Sequence, residues 1–180
     1  MQFLRVKGWG GKRAGAGRKN LSGQVSHARR PTLLSRYPVH ITLKLKKGLS
    51  SLRKKRFLSA LRGGFVRAKR YKLAVLHFSI QSNHVHLLVE APNNSSLSKG
   101  IQSLSSRFAK IIRRNAFKNG SAQSGSVFAG RYHMRILKTP SEVRNALEYI
   151  LLNFSKHTRM IETIDRFSSG SSFSKWSVLL

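Results

Sequence analysis

Lys72 to Glu90 reads Lys-Leu-Ala-Val-Leu-His-Phe-Ser-Ile-Gln-Ser-Asn-His-Val-His-Leu-Leu-Val-Glu. Its first part, through Gln81, is rich in Val, Leu, Phe and Ile and predicts a strand. Ser82-Asn83 fits a tight turn. His84 to Glu90 predicts a second strand. Side chains at i and i+2 of a strand share a face, so Val85, Leu87 and Val89 turn toward a core while His84 and His86 turn the other way. The stretch is therefore a hairpin whose second strand has one packed side and one polar side.

Working outward, Val39, Ile41, Leu43 and Leu45 alternate with His40, Thr42, Lys44 and Lys46, which predicts a half-buried strand ended by Gly48. Residues 50–70 read as a helix with Phe57, Leu58, Leu61, Phe65 and Ala68 on one side. Gly63-Gly64 weakens it by about 1 kcal/mol per glycine and is a candidate break. After the hairpin, Ser96 is a candidate cap for a helix whose stripe is Leu97, Ile101, Leu104, Phe108 and Ile111. Asn119 to Ser126 is a Gly/Ser loop, and Val127 to Leu137 reads as a fourth strand. Thr139 as N-cap, Pro140 at the first helical position and Glu142 completing a capping box open a last helix, with Val143, Leu147, Ile150 and Phe154 as its stripe. The order strand, helix, strand, strand, helix, strand, helix predicts an α+β, ferredoxin-like split βαβ antiparallel sheet with helices on one face.

The chain has 180 residues, 35 Lys and Arg against five acids, a formal charge of +30 and no cysteine. This balance favours a polyanionic partner. The lack of cysteine excludes disulfide scaffolds, thiolate zinc sites and cysteine nucleophiles. The acids are Glu90, Glu142, Glu148, Glu162 and Asp165, too few and too late in the chain for a carboxylate-held pair of metal ions. No apolar run approaches the ~18 residues of a membrane span. Residues 1–36 form a glycine-rich basic arm, expected to be disordered when free and to present Lys12, Arg13, Arg18 and Lys19 to a nucleic-acid backbone. Residues 37–157 form the expected domain, and 158–180 a tail. Arg107, Lys110 and Arg114 on the second helix, and Arg131 and Arg135 on the fourth strand, are further candidates for gripping phosphates. Each also reads as an ordinary solvated cation.

His84 and His86, with alpha carbons about 6.6 Å apart on one strand face, can converge on a cation. A bare His-x-His more commonly decorates an exposed sheet. Tyr149 and Asn153 stand at i and i+4 on the capped helix, beside its apolar stripe. A tyrosine there also serves to seal a core.

Taken together, His84-Val85-His86, Tyr149-Ile150-Leu151-Leu152-Asn153 and the segment Val127-Phe128-Ala129-Gly130-Arg131-Tyr132-His133 resemble the single-tyrosine HUH transposases, specifically the REP-associated tyrosine transposase branch of the IS200-like family. The resemblance spans roughly residues 37–157, about two-thirds of the chain. It implies a metal-dependent endonuclease and strand transferase acting on single-stranded or hairpin DNA. Tyr149 would be the nucleophile that takes the 5′ phosphate, and His84, His86 and Asn153 would hold Mg²⁺ or Mn²⁺. It also implies action in the bacterial cytoplasm, at the nucleoid, and allows a homodimer. Strand joining through a retained phosphoester needs no nucleotide cofactor, in keeping with the lack of a GxxxxGK[ST] loop. One departure is that Asn153 is followed by Phe154-Ser155-Lys156-His157 where relatives often continue Asn-Pro, so the helix here can run further. The alternative reading, which composition fits equally well, is a non-catalytic basic nucleic-acid-binding protein.

Overall fold

The computed structural model describes residues 29–118, 125–158 and 165–170, with the backbone alone at the helix ends 117–118 and 153–158. Its elements are β1 (Val39–Lys44), α1 (Lys55–Ala68), β2 (Ala74–Ile80), β3 (His84–Glu90), α2 (Asn94–Lys118), β4 (His133–Ile136) and α3 (Pro140–Thr158), with a 3₁₀ turn at Lys69–Tyr71. The strands form one sheet in the order β2-β3-β1-β4, and every pairing is antiparallel. This is the expected α+β split βαβ sheet.

The alternation along β1 and β3 divides the sheet into two faces. Val39, Ile41 and Leu43 of β1 and Val85, Leu87 and Val89 of β3 join Phe57 and Leu61 of α1 and Leu97, Ile101, Leu104 and Phe108 of α2 in the main core. Helices α1 and α2 thus share one face. Helix α3 does not join them. Ile150, Val143, Ala146 and Leu147 pack on Leu88 and Leu137 instead, and Leu88 has the phase of His84 and His86 along β3. The expectation of all helices on one face therefore holds for α1 and α2 and is corrected for α3. The reason lies in β3, whose polar side turns apolar at Leu88 and gives α3 a place to dock.

Several boundaries differ from the sequence reading. Helix α1 starts at Lys55 because the residues before it are tied to the hairpin, where the buried Leu52 donates its N–H to the Ser82 carbonyl at 2.9 Å. Gly63-Gly64 does not break α1. A Cβ on Gly64 would lie 3.3 Å from Leu104 Cγ, so its lack of a side chain admits α2 at close range. Asn93, not Ser96, caps α2, with its Oδ1 accepting the Ser96 N–H at 2.9 Å. Ile112 is buried in place of Ile111. The fourth strand is shorter than expected. Phe128 makes an isolated bridge to Leu45, and then Gly130, at φ +143°, takes the chain out of the sheet until His133.

Two segments assigned to arm and tail are packed onto the domain. Leu33 lies in the main core, and Asn94 holds that stretch through Oδ1 to the Leu33 N–H at 2.6 Å and Nδ2 to the Pro31 carbonyl at 2.8 Å. The Arg30 guanidinium stacks 3.5 Å from the Tyr132 ring centroid. At the other end, residues 165–170 cover the outer edge of β2. Ile80 N–H donates to the Phe167 carbonyl at 2.8 Å and Ser169 N–H to the Phe78 carbonyl at 2.9 Å. Asp165 is clamped by Arg53 through two bonds of 2.6 and 3.0 Å, and Arg53 also reaches the Ile80 carbonyl at 2.9 Å.

The closest backbone approach gives a test of this packing. A Cβ on Gly100 would fall 2.6 Å from Leu73 Cβ, an atom fixed to the backbone. Gly100→Ala should destabilise the domain by about 1–3 kcal/mol through overpacking. Gly63→Ala, whose nearest atoms belong to the flexible Arg107 side chain at 3.7 Å, should be neutral or gain up to about 1 kcal/mol from helix propensity. Urea denaturation of the two variants measures the contrast.

Candidate active site

Register alone brings most of the site together. Thr42 stands opposite His86, Lys44 opposite His84 and His40 opposite Leu88 across the β1–β3 pair. On the other side of β1, His40 pairs with Arg135 and Thr42 with His133. The face away from the main core therefore carries a patch of imidazoles and cations, and α3 lies across one end of it. The capping box starts α3 as expected, with Glu142 N–H donating to Thr139 Oγ1 and Thr139 N–H to Glu142 Oε2, both at 3.2 Å. Ile150 is fully buried beneath the helix. The neighbouring Tyr149 is left 44% exposed at the sheet surface.

There the Tyr149 ring meets the histidines edge-on. Its centroid is 5.0 Å from that of His86, with planes at 78°, and 6.0 Å from that of His40. His84 and His86 are 4.6 Å apart, also edge to face. Sheet imidazoles and helix phenol thus converge within one chain. A cavity of about 420 Å³ opens beside them, lined by His40, Thr42, His86, Arg135, Glu142 and Tyr149 among others. Asn153 lies one helical turn beyond Tyr149, but its side chain is outside those described. Helix α3 runs on to Thr158, as the missing Asn-Pro suggests.

His86 is buried, at 4% exposure. Its Nδ1 lies 3.1 Å from His40 Nε2 and 3.2 Å from Thr42 Oγ1. Its Nε2 is buried without a hydrogen-bond partner. Burial, helped by the charges possible on His84 and His40, pushes its pKa down to about 3. Burial, then Arg135 and His133, lowers that of His40. Both rings are therefore held neutral, the form that offers a lone pair. His84 donates Nδ1–H to Asn83 Oδ1 at 2.7 Å, which places its lone pair on Nε2. Among the described residues no three His, Cys, Asp or Glu side chains are arranged to hold a metal ion. His40, the third imidazole nearby, points its Nε2 at His86.

The expected DNA-contacting cations are scattered. Arg135 lines the cavity and is ion-paired to Glu142 at 2.9 Å. Arg131 is half-buried in the loop before β4. Lys110 and Arg114 are exposed on α2, which lies across the sheet from Tyr149, and Arg107 turns toward Gly63 of α1. These three do not line the site. Lys12, Arg13, Arg18 and Lys19 lie outside the described residues. Sequence reasoning had missed His40 and Thr42 as site members, although their phase along β1, opposite to the core residues, was the available signal.

The sequence profile for the family described as transposase IS200-like matches residues 35–153. The chain belongs to the IS200-like transposase family. Membership implies a DNA-processing enzyme. No curated protein sequence matches the chain. Among solved structures, the transposase is similar to a REP-associated tyrosine transposase bound to a REP hairpin, with a TM-score of 0.61 at 17% identity over 81% of this chain and 82% of that one. A candidate transposase from Deinococcus radiodurans R1 matches with a TM-score of 0.45 at 15% identity over 74% and 96% of the two chains. No described helix is long and apolar enough to cross a membrane.

Glu142 links the cavity wall to the start of α3. The Lys138 N–H, then Arg135, hold its carboxyl below the usual carboxylate range. Because the folded value is depressed, its stabilisation is complete above the unfolded carboxylate pKa and fades as pH falls through the folded one. Glu142→Gln should be less stable than wild type near neutrality. The gap should close as the buffer is taken below about pH 4, the unperturbed carboxylate range, and parallel thermal melts across pH measure this.

Proposed function

We propose that this transposase cuts and rejoins single-stranded DNA at hairpin-associated sequences, with Tyr149 as nucleophile. The observation that carries the reading is Tyr149 against His86, 5.0 Å between ring centroids, with the buried Nε2 of His86 left unpartnered. Attack by the phenolate oxygen forms a bond to phosphorus and breaks the bond to the 3′ oxygen. The departing oxygen takes up a proton, leaving a 3′ hydroxyl and a 5′ phosphotyrosine. Attack by another 3′ hydroxyl reverses the step and joins strands without ATP, because the phosphoester is never lost to water.

The donor set fits a divalent ion. His84 and the neutral His86 offer imidazole nitrogens, and Asn153 on α3 is assigned as a further ligand. Mg²⁺ or Mn²⁺ bound there would withdraw charge from the phosphate's non-bridging oxygens. Imidazole suits Mn²⁺ better. The chain's own part is to fix the geometry. Ile150 anchors the helix so that the phenol faces the sheet, and the chain's excess of cations favours an anionic phosphodiester. Hairpin binding by the similar REP-associated transposase supports DNA of that kind as the substrate. The basic arm and the arginines named above are proposed to track its backbone, and dimerisation is compatible with this chemistry but not required by it.

The test is adduct formation. Hairpin-bearing single-stranded DNA incubated with the protein and Mn²⁺ should give a protein–DNA band that survives denaturing electrophoresis. Tyr149→Phe should abolish the band and leave oligonucleotide affinity within about twofold, since an exposed hydroxyl adds little net binding. An adduct from the Phe variant refutes Tyr149 as nucleophile. No adduct from wild type with either ion transfers the case to the non-catalytic binder.

A further inference from the structure

We infer that His40 is a positioning residue. Together with Thr42 it fixes the tautomer of His86, so that the Nε2 lone pair is directed into the site for a divalent cation. The inference rests on the metal-ligand reading of His86 given above.

Neutral imidazole carries one proton, and the two placements have different consequences here. With the proton on Nε2, a buried N–H would have no acceptor, since no partner lies in reach of that atom. The single lone pair on Nδ1 would then face two groups at once, His40 Nε2 at 3.1 Å and Thr42 Oγ1 at 3.2 Å. With the proton on Nδ1, both neighbours act as acceptors of one shared N–H, and Nε2 presents a bare lone pair. Only this second arrangement can ligate. It requires His40 to accept through Nε2 and hence to carry its own proton on Nδ1.

His84 follows the same pattern by other means. Its Nδ1 donates to Asn83 Oδ1 at 2.7 Å, which also leaves the lone pair on Nε2. Different partners therefore select the same tautomer in both rings of the His-x-His strand. The Asn83 partner is adjacent in sequence. The His40 and Thr42 partners come from the next strand, so the β1–β3 register, Thr42 opposite His86, is what delivers them. His40 is not placed as a third ligand, because its Nε2 is engaged with His86.

The experiment uses the full chain and Mn²⁺ alone. In wild type, long-range ¹H–¹⁵N spectra of the imidazoles should assign the Nδ1–H form to His86, and calorimetry should detect Mn²⁺ binding. His40→Ala should weaken Mn²⁺ binding by about 10–100-fold and redistribute the His86 tautomers. His40→Gln, which keeps an acceptor oxygen, should recover part of the affinity without changing the nitrogen couplings of bound Mn²⁺ in pulsed EPR. Thr42→Val should produce a smaller loss. Circular dichroism checks that each variant is folded, and if His40→Ala fails to fold, Thr42→Val and the wild-type tautomer carry the test. Wild-type His86 found as Nε2–H, wild-type affinity in folded His40→Ala, or loss of a nitrogen coupling in His40→Gln would each overturn the proposal. Wild type that binds no Mn²⁺ would refute the ligand reading, while the tautomer of His86 would still decide the role of His40.

Discussion

The site depends on one apolar contact, the seating of Ile150 on Leu88 and Leu137. A four-stranded sheet with two helices on one face is already a stable layer arrangement, and its other face can remain in water. Here that second face is polar through His84 and His86 and then turns apolar at Leu88. The change of character along one strand gives α3 a place to rest, with Tyr149 brought against the imidazole of His86. Shifting the register of β3 by one residue would send Leu88 and both histidines to the opposite face together. The same alternation that builds the main core therefore also delivers the helix bearing Tyr149.

Electrostatics at the site follow from this packing. The chain carries a formal charge of +30, yet the imidazoles nearest Tyr149 are held neutral by burial and by neighbouring cations. The charged side chains in the cavity lining, Arg135 and Glu142, are paired with each other. The neutral imidazoles closest to the phenol keep lone pairs to offer. The Arg135–Glu142 pair at the rim is exposed, so solvent screens it and its own contribution to stability is small.

Much of this was legible in the chain. Period-two alternation located β1 and β3, the Ser82-Asn83 turn set the hairpin, and Thr139-Pro140-Ser141-Glu142 marked the start of α3 to the residue. His84, His86 and Tyr149 were legible as a group through their motif. The rest required three dimensions. The place of α3 depended on reading Leu88 as apolar on the polar side of its strand, which a hairpin scored for one core obscures. His40 and Thr42 come near His86 only through pairing with a distant strand. Gly63-Gly64 carried a propensity penalty that close approach of α2 outweighs. Asp165 and the serines after it have the composition of a tail, and only the partner Arg53, 112 residues away, gives them a fixed place.

That docked segment also governs how copies of the molecule can meet. An open strand edge offers a row of unsatisfied amides to any extended chain, including a second copy of itself. Residues 165–170 occupy that position along β2, secured by a buried carboxylate. Among the described residues, the sheet edge left for lateral pairing is then that of β4. A second copy therefore cannot add a strand at β2 without first displacing this segment.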